Sequence, residues 1–251
     1  MMDWSPFAAV LFDLDGVITP TADVHRRAWT DMFNGFLAGL DGQQPFTDDD
    51  YVKFVDGKPR ADGVRSFLSS RSIDLPDGDA DDPAAAHTVA GLGTRKNDRF
   101  NEILQRDGVD AYPGSIALLD ALKPAGLRLA IVSSSRNARA VLSAAGLLDR
   151  FEVIVDGNVG AEAHLDGKPA PDYFLHAGAA LNAAPDQAVV LEDAISGVQA
   201  GAAGNFGLVI GVDRGAGHNA LVNAGADRVV SDLDELLPAG DADPTQMQGT
   251  P

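Results

Sequence analysis

Two aspartates that follow an apolar, strand-like segment are the residues best placed to do chemistry. In FDLDGVIT, Asp13 and Asp15 are separated by one residue and followed by a glycine. Residues i and i+2 of a strand share a face, and ligands of open α/β sheets bind at the carboxyl ends of strands. The spacing therefore predicts that both carboxylates reach one crevice, where one could attack a substrate and the other could transfer protons. The alternative is a pair of helix-capping or solvated aspartates.

Two further segments predict a site for an anion. The run LAIVSSS ends in Ser133–Ser135 just before a helix, so hydroxyls and free backbone N–H groups gather at a helix N-terminus. Lys168 stands in GKPAPDYF, where Pro169 and Pro171 restrict the backbone and so fix where the ammonium points. A lysine held in this way can neutralise a phosphoryl oxygen and a nearby carboxylate. Taken singly, the serines also fit an ordinary helix cap, and Lys168 fits an exposed turn.

A pair of adjacent acids predicts a metal site. Glu192 and Asp193 follow an apolar run, and two carboxylates at the end of a buried strand are costly to hold together without a cation. With Asp13 they could form a hard, all-oxygen Mg²⁺ site. The alternative is an N-cap pair at a helix start. The four segments supply a nucleophile, an anion cradle, a cation and metal ligands, and their coincidence favours phosphoryl transfer.

Short apolar runs between longer helix-period segments indicate the elements that must position these side chains. Because such runs suit strands buried on both faces, their alternation with helices predicts the α/β class, with a doubly wound, Rossmann-like parallel sheet. The predicted strands are Ala8–Asp13, Arg128–Ser133, Glu152–Val155, Ala188–Glu192, Gly207–Val212 and Arg228–Val230. The predicted helices include Ser115–Leu122, Ala138–Ala145, Asp172–Leu181 and Ile195–Ala203.

The alternation of strands and helices stops between the first strand and Tyr112, where the chain has the pattern of helices and loops. We therefore predict a core of residues 1–22 and 111–237 with an inserted helical cap of residues 23–110. Within the cap, Leu75–Pro83 is rich in Asp, Pro and Gly and is predicted to be an exposed loop. Residues 238–251 have the composition of a flexible tail.

Charge and cysteine content narrow the classes of partner. The 251-residue chain has a formal net charge of −18, which disfavours nucleic acid and anionic membrane surfaces, so an anionic substrate needs a locally positive pocket. The chain has no cysteine, which excludes disulfides and thiolate metal sites. We find neither a signal-peptide pattern nor a run of the roughly 18 apolar residues of a membrane span. We expect a cytoplasmic monomer without nucleic-acid or membrane partners.

The four segments together resemble the motifs of the haloacid dehalogenase superfamily, and the resemblance covers nearly the whole chain. It implies that Asp13 is a nucleophile that forms an aspartyl phosphate and that Asp15 is the general acid/base. It also implies that Ser133 and Lys168 bind the phosphate. The implied ligands of a Mg²⁺ cofactor, with Asp15 contributing its backbone carbonyl, are Asp13, Asp15, Glu192 and Asp193.

More narrowly, the chain resembles the beta-phosphoglucomutase-like subfamily. This resemblance rests on GVITPTADVHRRAW after the first motif, GKPRADGV and TRKND in the cap, and VSSSRNA at the second motif. It implies that His25 lies near the hinge and helps to order Asp15. It also implies that cap residues Arg60 and Lys96 bind the distal phosphate of a sugar. The implied substrate-binding residues are Arg60, Lys96, Ser133, Ser134 and Asn137.

The subfamily resemblance implies that a small phosphorylated sugar is the substrate and that beta-glucose 1-phosphate and glucose 6-phosphate are interconverted. An alternative with the same core is a Mg²⁺-dependent sugar-phosphate phosphatase, in which water reaches the aspartyl phosphate. A third alternative is a binding protein that keeps the fold without turnover. The acidic set at Asp13, Asp15 and Asp193 disfavours it, because a protein that only binds anions would gain from losing those charges.

Overall fold

The structure, a computed structural model, describes residues 2–56 and 58–238. In this part of the chain we observe six strands and ten α-helices, with short 3₁₀ turns between them. The strands are β1 (Ala9–Phe12), β2 (Arg128–Val132), β3 (Val153–Val155), β4 (Ala188–Glu192), β5 (Leu208–Val212) and β6 (Arg228–Val230). The helices are α1 (Thr21–Leu37), α2 (Asp48–Phe54), α3 (Arg60–Ser70), α4 (Val89–Asp107), α5 (Pro113–Leu122), α6 (Ala138–Ala144), α7 (Gly157–Glu162), α8 (Asp172–Ala180), α9 (Ile195–Ala203) and α10 (His218–Ala224).

All six strands form one parallel sheet in the order β3-β2-β1-β4-β5-β6. Strand β1 is central, because Phe12 pairs with Ile131 of β2 on one side and with Leu191 of β4 on the other. The strand order reverses between β1 and β4, and such a switch point opens a crevice at the carboxyl ends of the strands. The predicted α/β class and doubly wound parallel sheet are confirmed.

The two faces of the sheet bury separate clusters of apolar side chains. Along β1, Val10 and Phe12 lie on the face covered by α5 and α6, whereas Ala9 and Leu11 lie on the face covered by α8 and α9. This is the two-residue alternation of a strand, and all four side chains are fully buried because helices cover both faces. A strand buried in this way gives rigid support to the polar residues that follow it.

Predicted ends of strands and helices differ from the observed ends by at most two residues. The largest difference is at α5, which we predicted to start at Ser115 and which starts at Pro113. Apolar periodicity marks the buried face of a helix but not its first turn. Proline suits that first turn because its missing N–H has no helical partner there.

The inserted segment is helical, as predicted, and has its own apolar centre. Phe33 packs between Trp29 and Phe67, with ring centres 5.3 Å and 4.2 Å away. The division from the core is not sharp, however, because Phe100 and Ile103 of α4 pack into the core cluster. Helix α4 therefore joins the two lobes, and the boundaries at residues 22–23 and 110–111 stay a proposal.

The predicted cap loop and tail have different outcomes. Leu75–Pro83 is largely exposed, and it is tied to the start of α4 by hydrogen bonds from Val89 N to Pro76 O (2.9 Å) and from Thr88 Oγ1 to Asp82 Oδ2 (2.6 Å). Of the predicted tail, Pro238 pairs with Met2, and residues 239–251 lie outside the described residues. Among the described helices, none combines the length and apolarity needed to cross a bilayer.

Candidate active site

Asp13, Lys168 and Glu192 form a buried cluster at the carboxyl ends of β1 and β4. Asp13 directly follows β1, and its N–H continues the sheet by donating to Leu191 O (2.9 Å). The ammonium of Lys168 lies 2.5 Å from Asp13 Oδ1 and 2.5 Å from Glu192 Oε1. The side chains are 5%, 10% and 1% exposed for lysine, aspartate and glutamate. One cation thus bridges two carboxylates that the adjacent strands bring together.

The charges of this cluster do not balance without a further cation. Burial opposes the charge on Lys168, but Asp13 and Glu192 outweigh it and raise the pKa of the ammonium above its usual value. For Asp13, burial is the largest effect and raises the pKa of the carboxyl, with Glu192 and Asp15 adding to the rise and Lys168 opposing it. Lys168 therefore stays charged. Asp13 needs additional positive charge to be ionised at neutral pH.

Asp15 lies where α1 leaves the core. The hydroxyl of Thr21, the first residue of α1, donates a hydrogen bond to Asp15 Oδ1, and His25 Nε2 lies 3.5 Å from the same oxygen. Burial raises the pKa of Asp15, but His25 and Thr21 outweigh burial, so the pKa lies below its usual value. Asp15 is therefore an ionised carboxylate, able to take up a proton. His25 thus lies beside Asp15, but its Nε2 makes no hydrogen bond within the described residues, so its role in ordering Asp15 stays a prediction.

His25 connects Asp15 to Lys96 of the cap. Lys96 Nζ lies 2.5 Å from His25 Nδ1, and the imidazole stacks on Phe100 with ring centres 4.3 Å apart. Burial and the charge of Arg60 lower the pKa of Lys96 to about 7. Burial and the charge of Lys96 likewise lower the pKa of His25. A neutral His25 accepts from Lys96 at Nδ1 and so carries its own proton on Nε2, facing Asp15.

Arg60, the other predicted cap cation, begins α3 and is held by a hydrogen bond from its Nη1 to Gly93 O (3.3 Å). Burial lowers the pKa of Arg60, and the positive charge of Arg136 lowers it further. Arg136 comes from the core, in the segment VSSSRNA. Together they form the locally positive region that an anionic substrate of this acidic chain requires.

The serine segment after β2 is fixed by the backbone on both sides. Ser133 N donates to Val155 O of β3 (2.9 Å), and Ser133 Oγ accepts from Ser135 N (3.1 Å). Ser134 O lies only 2.7 Å from where a side chain at Gly157 would begin, so that position has room only for glycine. Asn137 crosses to the cap, donating from Nδ2 to Asn97 Oδ1 (2.7 Å). The segment therefore lines the cleft between the lobes.

The acidic residues fit a Mg²⁺ ion, although no three His, Asp or Glu side chains of the described residues converge on one point. Gly16, with a φ of +87°, lies against Asp193: a Cβ at Gly16 would meet Asp193 Oδ2 at 1.9 Å. Burial, followed by the charges of Glu192 and Asp13, raises the pKa of Asp193 well above its usual value. Such crowding of carboxyl oxygens is relieved by a hard cation.

Glu192 lies at the end of β4, as predicted, and its carboxylate is held by protein groups. Its Oε1 accepts from Lys168, and its Oε2 accepts from Ala194 N (2.8 Å), so both oxygens have protein partners. The structure favours Glu192 as the anchor of Lys168 over its predicted role as a metal ligand. The donor set that fits Mg²⁺ is then the carboxylates of Asp13 and Asp193 with the backbone carbonyl of Asp15.

Three residues of this site were not among our predicted site residues. Thr21 gave no signal beyond its place in the hinge, because its contact with Asp15 depends on how the chain turns after β1. Gly16 follows the aspartates directly, so its need for glycine could have been read from the DLDG motif. Arg136 stands between the predicted Ser134 and Asn137 and could have been found as the only cation of that segment.

Comparisons with known proteins agree with this fold. The family model of haloacid dehalogenase-like hydrolases matches residues 7–205. A beta-phosphoglucomutase of Mycobacterium tuberculosis is 53% identical over 239 residues, which cover 91% of this chain and 91% of that protein.

Two solved structures are similar over almost the whole chain. Beta-phosphoglucomutase from Clostridium difficile has a TM-score of 0.73 and 26% identity, and the match covers 92% of this chain and 93% of that one. The protein CbbY from Rhodobacter sphaeroides, in complex with xylulose-(1,5)bisphosphate, has a TM-score of 0.72 and 26% identity, and the match covers 92% of this chain and 96% of that one.

Proposed function

The chain belongs to the haloacid dehalogenase-like hydrolase family, and on that footing we propose that it interconverts beta-glucose 1-phosphate and glucose 6-phosphate, as a beta-phosphoglucomutase does. The proposal rests on the similarity over 91% of both chains and on one observation of the site. Asp15 stands two residues after Asp13, whose carboxylate contacts Lys168, and its own carboxylate lies 3.5 Å from His25, which contacts Lys96 of the cap. Proton transfer and phosphoryl transfer can therefore occur in one cleft.

In the proposed reaction, Asp13 Oδ attacks the phosphorus of the sugar phosphate. A bond forms between this oxygen and phosphorus, while the bond from phosphorus to the sugar oxygen breaks. Lys168, held 2.5 Å from Asp13, places its charge against the transferring group and stays charged because Glu192 anchors it. A carboxylate nucleophile divides the transfer into two steps, of which the second returns the phosphoryl group to a sugar hydroxyl.

Asp15 carries the proton in both steps. When the aspartyl phosphate is attacked, the ionised Asp15 accepts the proton of the attacking hydroxyl, and its lowered pKa is consistent with starting as a base. The proton that Asp15 has taken up then goes to the leaving sugar oxygen, when Asp13 attacks the other phosphoryl group of the bisphosphorylated sugar, and Asp15 is ionised again. His25 Nε2–H, 3.5 Å from Asp15 Oδ1, orients the carboxylate between these two states.

We propose Mg²⁺ as the cofactor, with the carboxylates of Asp13 and Asp193 and the carbonyl of Asp15 as its protein ligands. A bound Mg²⁺ supplies positive charge against the phosphoryl oxygens. The chain itself holds these oxygens in place: β1 and β4 carry Asp13 and Asp193, and Gly16 leaves room for the Asp193 carboxylate. The same positive charge would lower the raised pKa values of the two carboxyls, which keeps Asp13 ionised as a nucleophile.

The cap decides between transfer to a sugar and transfer to water. Arg60 and Lys96 are the cap cations proposed to bind the distal phosphate, with Ser133, Ser134 and Asn137 on the core side. Pro59 of the cap reaches 3.5 Å from the Cβ position of Gly167, so the cap contacts the turn that carries Lys168. A cap closed in this way keeps water from the aspartyl phosphate.

The test is to incubate the purified chain with Mg²⁺, beta-glucose 1-phosphate and a trace of glucose 1,6-bisphosphate, and to follow glucose 6-phosphate and inorganic phosphate together. We expect glucose 6-phosphate well ahead of phosphate, with Asp13→Asn inactive and Asp48→Asn, an exposed aspartate of α2, unchanged. Phosphate release alone would make the chain a sugar-phosphate phosphatase instead. If neither glucose 6-phosphate nor phosphate formed, the assignment of this sugar would be contradicted.

A further inference from the structure

Arg214 lies at the carboxyl edge of the sheet, two residues after β5, where no predicted site residue stood. Its Nε donates to Gly16 O (3.2 Å), its Nη1 to Ser231 O (2.9 Å) and its Nη2 to Asp232 Oδ2 (2.8 Å). Its guanidinium also lies 3.9 Å from the ring centre of Tyr112. The side chain is 21% exposed, so these contacts are largely shielded from solvent. All three guanidinium nitrogens therefore have partners.

The loop after β1 is held by three consecutive carbonyl contacts. Gly16 O accepts from Arg214, Val17 O accepts from Ser115 Oγ (2.7 Å), and Ile18 O accepts from Tyr112 N (3.0 Å). Of these three donors, only Arg214 belongs to the segment that follows β5. Its acceptor is also the carbonyl closest in sequence to the aspartates, because Gly16 directly follows Asp15. Arg214 thus fixes the loop at the end that carries the chemistry.

Gly16 connects Arg214 to the acidic residues, because its backbone contacts the carboxylate of Asp193. Its backbone is in such close contact with Asp193 that a Cβ there would meet Oδ2 at 1.9 Å. A shift of the Gly16 peptide would therefore move the wall against which the Asp193 carboxylate rests, and it would also move the adjoining carbonyl of Asp15. These are two of the three oxygens that we propose for Mg²⁺.

The other end of Arg214 rests on a rigid support. Asp232 caps the 3₁₀ turn of Leu233–Leu236 in a reciprocal capping box with Glu235. Asp232 Oδ1 also lies 1.6 Å from where a Cβ at Gly114 would begin, at the start of α5. Asp232 is thus confined on two sides, and a guanidinium bound to it has little freedom. The planar fork of arginine makes these contacts simultaneously, which a lysine cannot do.

From these contacts we infer that Arg214 is a positioning residue, which holds Gly16 and through it the Asp193 and Asp15 oxygens in the arrangement that Mg²⁺ needs. The inference rests on the proposed function for its metal but not for its sugar. Residues behind metal ligands typically change metal affinity or activity by about 10–100-fold when they are replaced. Arg214 belongs to this class because it acts through Gly16 and does not itself touch Asp13 or Asp193.

The test compares Arg214→Gln and Arg214→Lys with the matched control Arg128→Gln. Arg128 also makes three polar contacts, to Glu152 at 3.1 Å and 3.0 Å and to Leu181 O, but at the amino end of β2, away from the site. The readouts are Mg²⁺ binding by calorimetry without substrate, hydrolysis of p-nitrophenyl phosphate at saturating Mg²⁺, and the melting temperature. None of them depends on which sugar is the substrate.

Both Arg214 variants are expected to bind Mg²⁺ about 10–100-fold more weakly than the wild type, with a lower kcat for the aryl phosphate, while Arg128→Gln stays within about two-fold. Arg214→Lys keeps the positive charge, so weaker Mg²⁺ binding by this variant would show that the forked geometry of the guanidinium is required. Arg214→Lys also provides the test if Arg214→Gln does not fold. Unchanged Mg²⁺ binding in both Arg214 variants would overturn the inference. So would an equal loss in Arg128→Gln, or a wild type that does not bind Mg²⁺. Failure of the mutase reaction with intact Mg²⁺ binding would overturn the proposed sugar alone.

Discussion

Replacing Lys168 by methionine tests whether the buried charge cluster is arranged as described. Methionine keeps most of the volume of lysine but removes the ammonium, which leaves Asp13 and Glu192 without the cation that lies 2.5 Å from each. Removal of one partner from a buried ion pair costs about 3–5 kcal/mol, because an uncompensated charge stays in the interior. At about 2–4 °C per kcal/mol for a chain of this size, the melting temperature should fall by about 6–20 °C.

The pH dependence of this loss has a definite sign. In Lys168→Met the ammonium that opposes the rise is gone, so the pKa of Asp13 lies above that of the unfolded chain, and the folded state binds more protons than the unfolded state in that window. The stability of the variant therefore decreases as the pH rises through the raised pKa and recovers toward acid pH. Urea unfolding at several pH values, with EDTA present to exclude divalent cations, measures both effects.

Lys53→Met is the matched control. Lys53 Nζ lies 3.4 Å from Asp49 Oδ2 on the surface of α2, and its side chain is 64% exposed. An exposed pair of this spacing contributes about 0.3–0.5 kcal/mol. If Lys168→Met were within about 1 kcal/mol of this control, the description of Lys168 as a buried bridge between two carboxylates would be refuted.

Three other predictions follow from contacts of the site. Gly16→Ala places a Cβ 1.9 Å from Asp193 Oδ2 in a backbone with φ of +87°, so activity should be lost; Gly42→Ala, with φ of +77° and open space around it, should keep activity in the same assay. Thr21→Val removes a hydrogen bond that lowers the pKa of Asp15, so the acid limb of the pH–rate profile should move to higher pH; an unmoved limb would contradict the assignment of Asp15. The pKa of Lys96 is lowered to about 7, so the unfolded chain binds more protons than the folded chain between about pH 7 and pH 10. The free energy of unfolding should therefore rise with pH across that window, and Lys96→Met should flatten the rise measured by urea unfolding. An unchanged slope in this variant would contradict the buried environment of Lys96.

The parallel sheet could be predicted from the apolar strand-like runs, and so could the position of the carboxylates that follow them. Asp13 and Glu192 each come at the end of an apolar run, and parallel strands bring such ends to one edge of the sheet. Their meeting at Lys168 required β1 and β4 to be neighbours, which holds in the observed order. The sequence could not reveal that Lys168 would donate a hydrogen bond to Glu192, because this contact depends on the path of the turn between residues 166 and 171.

Most contacts that polar side chains make with loops could not be predicted from the sequence. Thr21 is the first residue of α1 and Arg214 stands in the loop after β5, where apolar periodicity gives no information about their polar contacts with the DLDG loop. A single arginine after a strand has the same appearance whether it faces solvent or a backbone carbonyl. The cap boundary was also only partly visible, because α4 has one apolar stripe that serves both lobes: Leu92 packs in the cap and Phe100 packs in the core.

The central claim is that Asp13 is the covalent nucleophile, and trapping of the phosphorylated residue tests it most directly. The protein is mixed with Mg²⁺ and glucose 1,6-bisphosphate and quenched, and borohydride then reduces an aspartyl phosphate to homoserine, which peptide mass spectrometry locates. We predict homoserine at position 13 in the wild type and its absence in Asp13→Asn. Homoserine at Asp15 or Asp193, or turnover to glucose 6-phosphate without modification of Asp13, would contradict the account.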